Sequence, residues 1–129
     1  MSTEALLSGD LVVADGADIL SLVQVTDTHL TGTKEGSLLG MNTERSARSV
    51  INAALAAENT DCVLVTGDIA AGGQPGAYAQ LQLLIGNAVP SLWLPGNHDD
   101  VSSYKDRYAS HMKRRLRAKH WDVVMLETR

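Results

Sequence analysis

The sequence predicts an α/β fold with a mainly parallel sheet and flanking helices. Short apolar stretches rich in β-branched residues alternate along the chain with segments whose apolar residues recur at helical spacing. This alternation is typical of strand–helix–strand units joined by right-handed crossovers. In addition, three of the apolar stretches end in side chains suited to binding metal. In a parallel sheet such ends lie along one edge, which is where ligands bind.

The composition is that of a single folded domain. The chain has 129 residues, of which 44% are hydrophobic, and this excludes a disordered sequence. A net charge of −4 gives no broad attraction to nucleic acid or to an anionic membrane. The single cysteine, Cys62, excludes an internal disulfide framework and fits a reducing compartment. With no signal-peptide pattern and no apolar run of about 20 residues, we expect a cytoplasmic protein with no membrane or nucleic-acid partner.

In chain order, residues 11–14 are predicted to form a short edge strand and residues 19–26 the first central strand, because both are apolar and rich in β-branched residues. Residues 30–41 hold three glycines among polar side chains and are predicted to be a loop. The next helix is expected to be capped by Asn42 or Thr43. Its buried face is predicted from the helical spacing of Ala47, Val50, Ile51, Ala54 and Leu55.

Residues 61–66 are predicted as the second strand, followed by a helix that stops at Gly86. Residues 91–94 form the third strand. A helix with a basic last turn is then expected from residues 99–100, and a fourth strand over residues 121–126. The apolar face of the second helix is predicted from Tyr78, Leu81, Leu84 and Ile85, and that of the third from Val101, Tyr104, Tyr108, Met112 and Leu116.

Candidate metal ligands follow the first three central strands. Asp27 and His29 are two residues apart, so both point to the same side if strand geometry persists. Asp68 follows Gly67, which lets the backbone come close to an ion, and its two carboxylate oxygens can bridge two metals. Asn97 offers a neutral amide oxygen. Imidazole and oxygen ligands together suit Mn, Fe or Zn better than Ca.

These residues also predict a reaction. Two divalent ions about 3.5–4 Å apart can clamp a phosphate ester for in-line attack. His98 is placed to protonate the leaving oxygen as a general acid. Asp99 is expected to accept the other N–H of that ring and so set its tautomer. Catalysis is therefore assigned to His98 and Asp99, and substrate contact to Asn97 and His98.

The stretches Asp27-Thr28-His29, Gly67-Asp68 and Gly96-Asn97-His98-Asp99 resemble the successive motifs of the calcineurin-like metallophosphoesterases. Residues 24–30, 39–43, 66–70 and 93–99 further resemble the bacterial class III 3′,5′-cyclic AMP phosphodiesterases. The resemblance implies hydrolysis of cyclic AMP to 5′-AMP at a dinuclear site. It also implies that Asp27 and His29 hold the first metal, that Asp68 bridges, that Asn97 holds the second, and that His98 is the acid.

Members of this family are longer four-layer αββα sandwiches whose second half supplies a further His and a Gly-His-x-His motif. Residues 1–129 are thus expected to be a phosphoesterase domain truncated at its C-terminus, with weak metal binding and little activity, because His111 and His120 match no family motif. An uncovered sheet face would favour self-association. Two alternatives stay open: another phosphoesterase of the superfamily, acting on nucleotides or phosphoproteins, and an inactive remnant that binds metal or a partner.

Overall fold

Strands and helices alternate in the computed structural model, which describes residues 10–12, 18–57, 59–100 and 108–126. Its elements, in chain order, are β1 (Asp10–Val12), β2 (Leu22–Val25), β3 (Ser37–Leu38), β4 (Met41–Asn42), α1 (Thr43–Ala57), β5 (Cys62–Thr66), α2 (Pro75–Ile85), β6 (Ser91–Leu94), a 3₁₀ helix (Ala109–His111), β7 (Arg115–Arg117) and β8 (Asp122–Val124).

The main sheet consists of three parallel strands in the order β2-β5-β6. Val23 lies opposite Val63, and Val65 opposite Trp93, so the three strands are in close register. All three end at the same edge of the sheet because they run in the same direction. The predicted α/β class with a parallel sheet is therefore confirmed.

One face of this sheet carries the larger core. Val63, Val65 and Trp93 are buried there against residues of α1 and α2, among them Ile51 and Leu81. Because side chains alternate across a strand, the intervening residues of β5 and β6 point to the opposite face. The two helices therefore form one layer, on one side of the sheet.

A second small sheet covers the opposite face of β5 and β6. It has the order β1-β7-β8, with β1 parallel and β8 antiparallel to β7. Leu116 and Met125 from this part of the chain are buried against Cys62 and Leu92 of the main sheet. The described residues thus form a helix layer and two packed sheets, and the sheet face that was expected to be bare is covered over β5 and β6. Self-association stays a prediction.

The helix boundaries follow local chemistry. Asn42 caps α1, since its Oδ1 accepts a hydrogen bond from the Arg45 backbone N–H at 2.8 Å. Gly86, at a φ of 78°, ends α2 and donates its N–H to the Gln82 carbonyl at 2.9 Å. Across the described residues, neither α-helix has the length and apolar character that spanning a bilayer requires.

Four predictions differ from the structure. Val50 was expected on the buried face of α1 but is exposed. The helix predicted from residues 99–100 does not reach Leu116, which lies in β7, although residues 101–107 lie outside the described residues. Leu116 is buried between two arginines that are not, which is the period of a strand. The last predicted strand, seen as β8, pairs antiparallel in the second sheet instead of extending the parallel one. The loop predicted over residues 30–41 contains the start of a hairpin, β3 and β4.

Candidate metal centre

The turns that follow β2 and β5 lie side by side. The backbone N–H of Asp27 donates to the Gly67 carbonyl at 3.0 Å, and that of His29 to the Asp68 carbonyl at 3.0 Å. These bonds continue the parallel pairing of the two strands past their ends. Residues that are about forty positions apart in the sequence therefore meet at the carboxyl edge of the sheet, as the motif spacing predicted.

The backbone of this edge is unusual. Asp27, His29 and Asp68 have φ angles of 56°, 46° and 48°, in the left-handed region that side chains other than glycine rarely adopt. Each such residue costs roughly 1–2 kcal/mol, although Asp and His are among the types that tolerate it best. Three strained residues at one place, all of them predicted ligands, mark this edge as functional.

Two glycines allow the turn after β6 to join the other two. A Cβ atom on Gly67 would lie 3.2 Å from the Cα of Gly96, which is tighter than ordinary packing. A Cβ atom on Gly96 would overlap both the carboxylate and the backbone nitrogen of Asp68. Only glycine at Gly96 therefore lets the third turn approach closely enough for His98 to reach Asp68.

Asp68 is the centre of the resulting ligand group. The ligand atoms of His29, Asp68 and His98 all lie within 4.8 Å of one another. His98 Nδ1 is 2.9 Å from Asp68 Oδ2, and His29 Nε2 is 3.9 Å from the same oxygen. The two imidazole rings meet edge to face, with centroids 5.3 Å apart.

The surroundings of Asp68 keep its carboxylate ionised. Burial raises the pKa of Asp68. Hydrogen bonds from the backbone N–H and the ring of His98, together with the charges of His98 and His29, lower this pKa by more than burial raises it. The pKa of Asp68 therefore lies below its ordinary value. A buried anion flanked by two imidazoles is a nitrogen and oxygen donor set that suits Mn, Fe or Zn, so the residues present fit a divalent metal.

The other two predicted metal ligands lie at the rim of this group. Asp27 Oδ1 is 3.7 Å from His29 Nε2, and its other carboxylate oxygen accepts a hydrogen bond from the Thr26 hydroxyl. Asn97 is exposed in the turn after β6, next to His98. The sequence predicts His98 as an acid that need not ligate a metal. In the structure its ring contacts Asp68 directly, and its role as an acid stays a prediction.

Asp99 has a different set of contacts from the predicted one. Its buried carboxylate receives four hydrogen bonds, and their donors lie on three separate segments of the chain rather than on the His98 ring. This carboxylate thus ties the turns after β5 and β6 to α2. The donors are the backbone N–H groups of Ile69 (3.1 Å), Ala70 (2.9 Å) and Gly96 (2.8 Å) and the hydroxyl of Tyr78 (3.1 Å). Sequence reasoning had treated Tyr78 only as part of a helix face, and nothing in its local pattern indicates this bond.

The match to known proteins agrees with this geometry. The model of the calcineurin-like phosphoesterase family matches residues 20–125. The chain belongs to this family. Calcineurin-like phosphoesterases are hydrolases that use divalent metals, which accounts for the His and Asp group at the sheet edge.

Several curated relatives of this phosphoesterase carry the name 3′,5′-cyclic adenosine monophosphate phosphodiesterase CpdA. The protein of Escherichia coli (strain K12) is 34% identical over 113 residues, which cover 83% of this chain and 41% of that protein. That of Vibrio vulnificus (strain CMCP6) is 33% identical over 84% of this chain and 42% of its own length. That of Pseudomonas aeruginosa is 30% identical over 89% and 43%. The chain thus spans about two fifths of the length of these relatives.

Proposed function

We propose that this chain provides the metal-binding edge of a phosphodiesterase that hydrolyses 3′,5′-cyclic AMP to 5′-AMP. The observation that carries the proposal is the convergence of His29, Asp68 and His98 at the carboxyl end of parallel strands, where His29 and Asp68 lie on strained backbone. The names of the relatives support cyclic AMP as the substrate. The single cysteine, Cys62, is free and buried, in keeping with action in the cytoplasm.

At the proposed site, Asp27 and His29 would hold one divalent ion of Mn, Fe or Zn, Asn97 would hold a second, and Asp68 would contribute to both. When bound, such ions supply Lewis acidity and neutralise phosphoryl charge. Asp68 supports this because its lowered pKa keeps it anionic at neutral pH. The His98 ring is well placed to reach the metals or the substrate, since half of its side chain is exposed.

His98 is the proposed general acid. Its Nδ1 faces Asp68 at 2.9 Å, which leaves the other ring nitrogen for the substrate. In the reaction a water molecule loses a proton to the solvent as its oxygen forms a bond to phosphorus, and the bond from phosphorus to the 3′-oxygen breaks. The departing 3′-oxygen takes a proton from His98, which yields 5′-AMP. In this scheme Asp99 acts through position, because it holds Gly96 and hence the turn that carries Asn97 and His98.

The first test is hydrolysis of cyclic AMP by the metal-loaded chain, with 5′-AMP quantified by chromatography. Asp68→Asn keeps the shape of the side chain and removes its charge, so we expect it to abolish turnover and to weaken Mn²⁺ binding measured by electron paramagnetic resonance. Asp122→Asn, on the exposed β8, is the matched control. Mn²⁺ binding that is identical in wild type and Asp68→Asn would contradict the proposal even where turnover is slow.

The second test separates cyclic AMP from other phosphoesters. A calcineurin-like enzyme of a different branch would prefer an aryl phosphate monoester or a noncyclic diester. We therefore expect kcat/KM for cyclic AMP to exceed that for both aryl substrates. A higher kcat/KM for the aryl substrates would still be consistent with a phosphoesterase but would refute the assignment of cyclic AMP as the substrate.

A further inference from the structure

A cleft of about 470 Å³ opens directly beside the candidate metal centre. His29 belongs to both, and Asp27, at the rim of the ligand group, also lines the cleft, so the two are continuous. Its other walls are the end of β2, the β3–β4 hairpin and the first turns of α1. A phosphoester held at the metal centre would therefore extend one of its substituents into this cleft.

The outer wall of the cleft is apolar although it faces solvent. Leu38, Leu39, Met41 and Val50 all line it, and all four are large hydrophobic side chains that are exposed. Single exposed hydrophobic residues are normal, but several around one concave site, with polar residues at the rim, indicate a ligand surface. Gln24, Thr26 and Ser46 supply the polar part of the lining.

Leu39 is the least expected of these residues. It is 99% exposed and has a φ of 51°, and it is followed by Gly40 at a φ of 83°. Two consecutive positive φ angles in a two-residue hairpin loop favour Asn-Gly, whereas leucine there costs roughly 1–2 kcal/mol. Neither its backbone nor its burial stabilises the fold, and its apolar surface is open to a ligand in the cleft.

Thr43 offers a polar partner in the same cleft. It is only 5% exposed, and its Oγ1 lacks a hydrogen-bond partner within the described part of the chain. A buried hydroxyl without a partner costs about 1–3 kcal/mol. Thr43 lines the cleft at the amino end of α1, so a rotation of its side chain would present the hydroxyl to a bound group.

We propose that this cleft is the subsite for the nucleobase of the substrate, an inference that rests on the proposed phosphodiesterase function. The flat faces of the base pack against Leu39, Met41 and Val50, and its polar edge bonds to Thr43. The volume suits an organic group of this size, since small-molecule pockets span about 300–1,000 Å³. The metal centre then holds the phosphate, and the cleft determines which nucleotide is accepted.

The test compares two ligands that share a ribose 5-phosphate group, one with a base and one with a hydroxyl group in its place. Binding of 5′-AMP and of ribose 5-phosphate to the Mn²⁺-loaded chain is measured by isothermal titration calorimetry. Burial of one base against the apolar wall should make 5′-AMP bind about tenfold more tightly, because a factor of ten needs only about 60 Å² of apolar surface removed from water. The ratio of the two affinities is therefore the measured quantity.

Two variants remove the subsite without harming the fold. Leu39→Asn places a better residue in the hairpin loop, and Thr43→Val removes a hydroxyl that has no partner among the described residues, so both should unfold at or above the wild-type temperature. We expect each to reduce the affinity ratio at least about fivefold, through loss of apolar contact or of a hydrogen bond. Leu83→Asn is the control, because Leu83 is also a largely exposed leucine but lies on α2, outside this cleft.

The result that overturns the subsite is an equal affinity for both ligands in wild type, or a ratio unchanged in both variants. The phosphodiesterase proposal has its own readout, which is Mn²⁺-dependent binding of ribose 5-phosphate that Asp68→Asn removes. Adenosine, which has no phosphate, separates the two. If adenosine binds, Leu39→Asn weakens its binding and ribose 5-phosphate does not bind, the nucleobase subsite is supported and the phosphodiesterase proposal is refuted. If neither adenosine nor ribose 5-phosphate binds, both proposals are refuted.

Discussion

Replacing Gly96 by alanine should disable the candidate metal centre with a single methyl group. That methyl group would occupy the space of the Asp68 carboxylate and backbone nitrogen. The backbone of Asp68 has little freedom to move, because its carbonyl already accepts the N–H of His29 at 3.0 Å. The turn after β6 must therefore move away, and it carries His98 with it.

The size of the effect follows from the contacts that this movement breaks. His98 donates its backbone N–H to Asp68 Oδ1 at 3.0 Å and contacts Oδ2 through its ring at 2.9 Å. Gly96 also donates its N–H to Asp99 at 2.8 Å. Hydrogen bonds to charged groups contribute about 1.5–3 kcal/mol each, and overpacking costs about 1–3 kcal/mol. Partial relaxation preserves some of this, so we expect the free energy of unfolding to fall by roughly 2–4 kcal/mol.

Urea denaturation of the metal-free chain measures that loss of stability. A Mn²⁺ titration measures the damage to the site. We expect Mn²⁺ to bind at least about tenfold more weakly, because a misplaced ligand should cost more than about 1.4 kcal/mol of binding free energy, which corresponds to a factor of ten. Gly72→Ala is the control. Like Gly96, Gly72 does not have a positive φ, but a Cβ atom there comes no closer than 3.7 Å to the Gln74 side chain, so its variant reports the loss of glycine without the overlap. A Gly96→Ala protein as stable as wild type, with undiminished Mn²⁺ affinity, would refute the packing described for the three turns.

Three further predictions follow from the same contacts. Asp99→Asn should lower the free energy of unfolding by about 1.5–3 kcal/mol, because an amide group cannot accept all four hydrogen bonds, and urea denaturation beside Asp122→Asn checks this. His98→Ala should slow hydrolysis of cyclic AMP more than that of a p-nitrophenyl diester, which needs less acid assistance; an equal loss on both substrates, with weaker Mn²⁺ binding, would assign His98 as a ligand. The Cys62 thiol should resist a disulfide reagent at pH 8 until urea unfolds the chain, because burial raises the pKa of Cys62 to about 11; rapid labelling of the native chain would contradict this.

Local sequence patterns were sufficient for the helix layer and the parallel sheet. β5 and β6 are short apolar runs that end in glycine-containing turns, and α1 begins at an asparagine cap, so each boundary has a nearby chemical cause. The placement of Asp68 at the sheet edge follows directly, because the direction of the strands determines where their ends lie.

The second sheet could not be predicted in the same way. β1 pairs with β7 across more than a hundred residues, and each of these strands has only three residues. The spacing of Tyr108, Met112 and Leu116 fits one face of a helix, and only pairing with distant β1 and β8 converts Leu116 to a strand position. Long-range pairing overrides a local period when the segment is short.

The contacts of Asp99 show a related limit. Asp99 and His98 are neighbours in sequence, which suggested that the Asp99 carboxylate orients the His98 ring. In a turn, however, adjacent side chains leave the backbone in different directions, and here His98 points to Asp68 while Asp99 points into the protein. Adjacency therefore predicts a shared location and not a shared hydrogen bond.

The left-handed backbone of Asp27, His29 and Asp68 links the core to the chemistry. No local pattern imposes these angles, since none of the three residues is glycine. They persist because the turns are held by hydrogen bonds that extend the β2–β5 ladder, and that ladder is supported by buried Val63 and Val65. The strain of the site, at roughly 1–2 kcal/mol per residue, is thus offset by packing several residues away. It follows that the spacing of the candidate ligands depends on the register of two parallel strands, and that a change in the core of β5 would alter the site without replacing any of these residues.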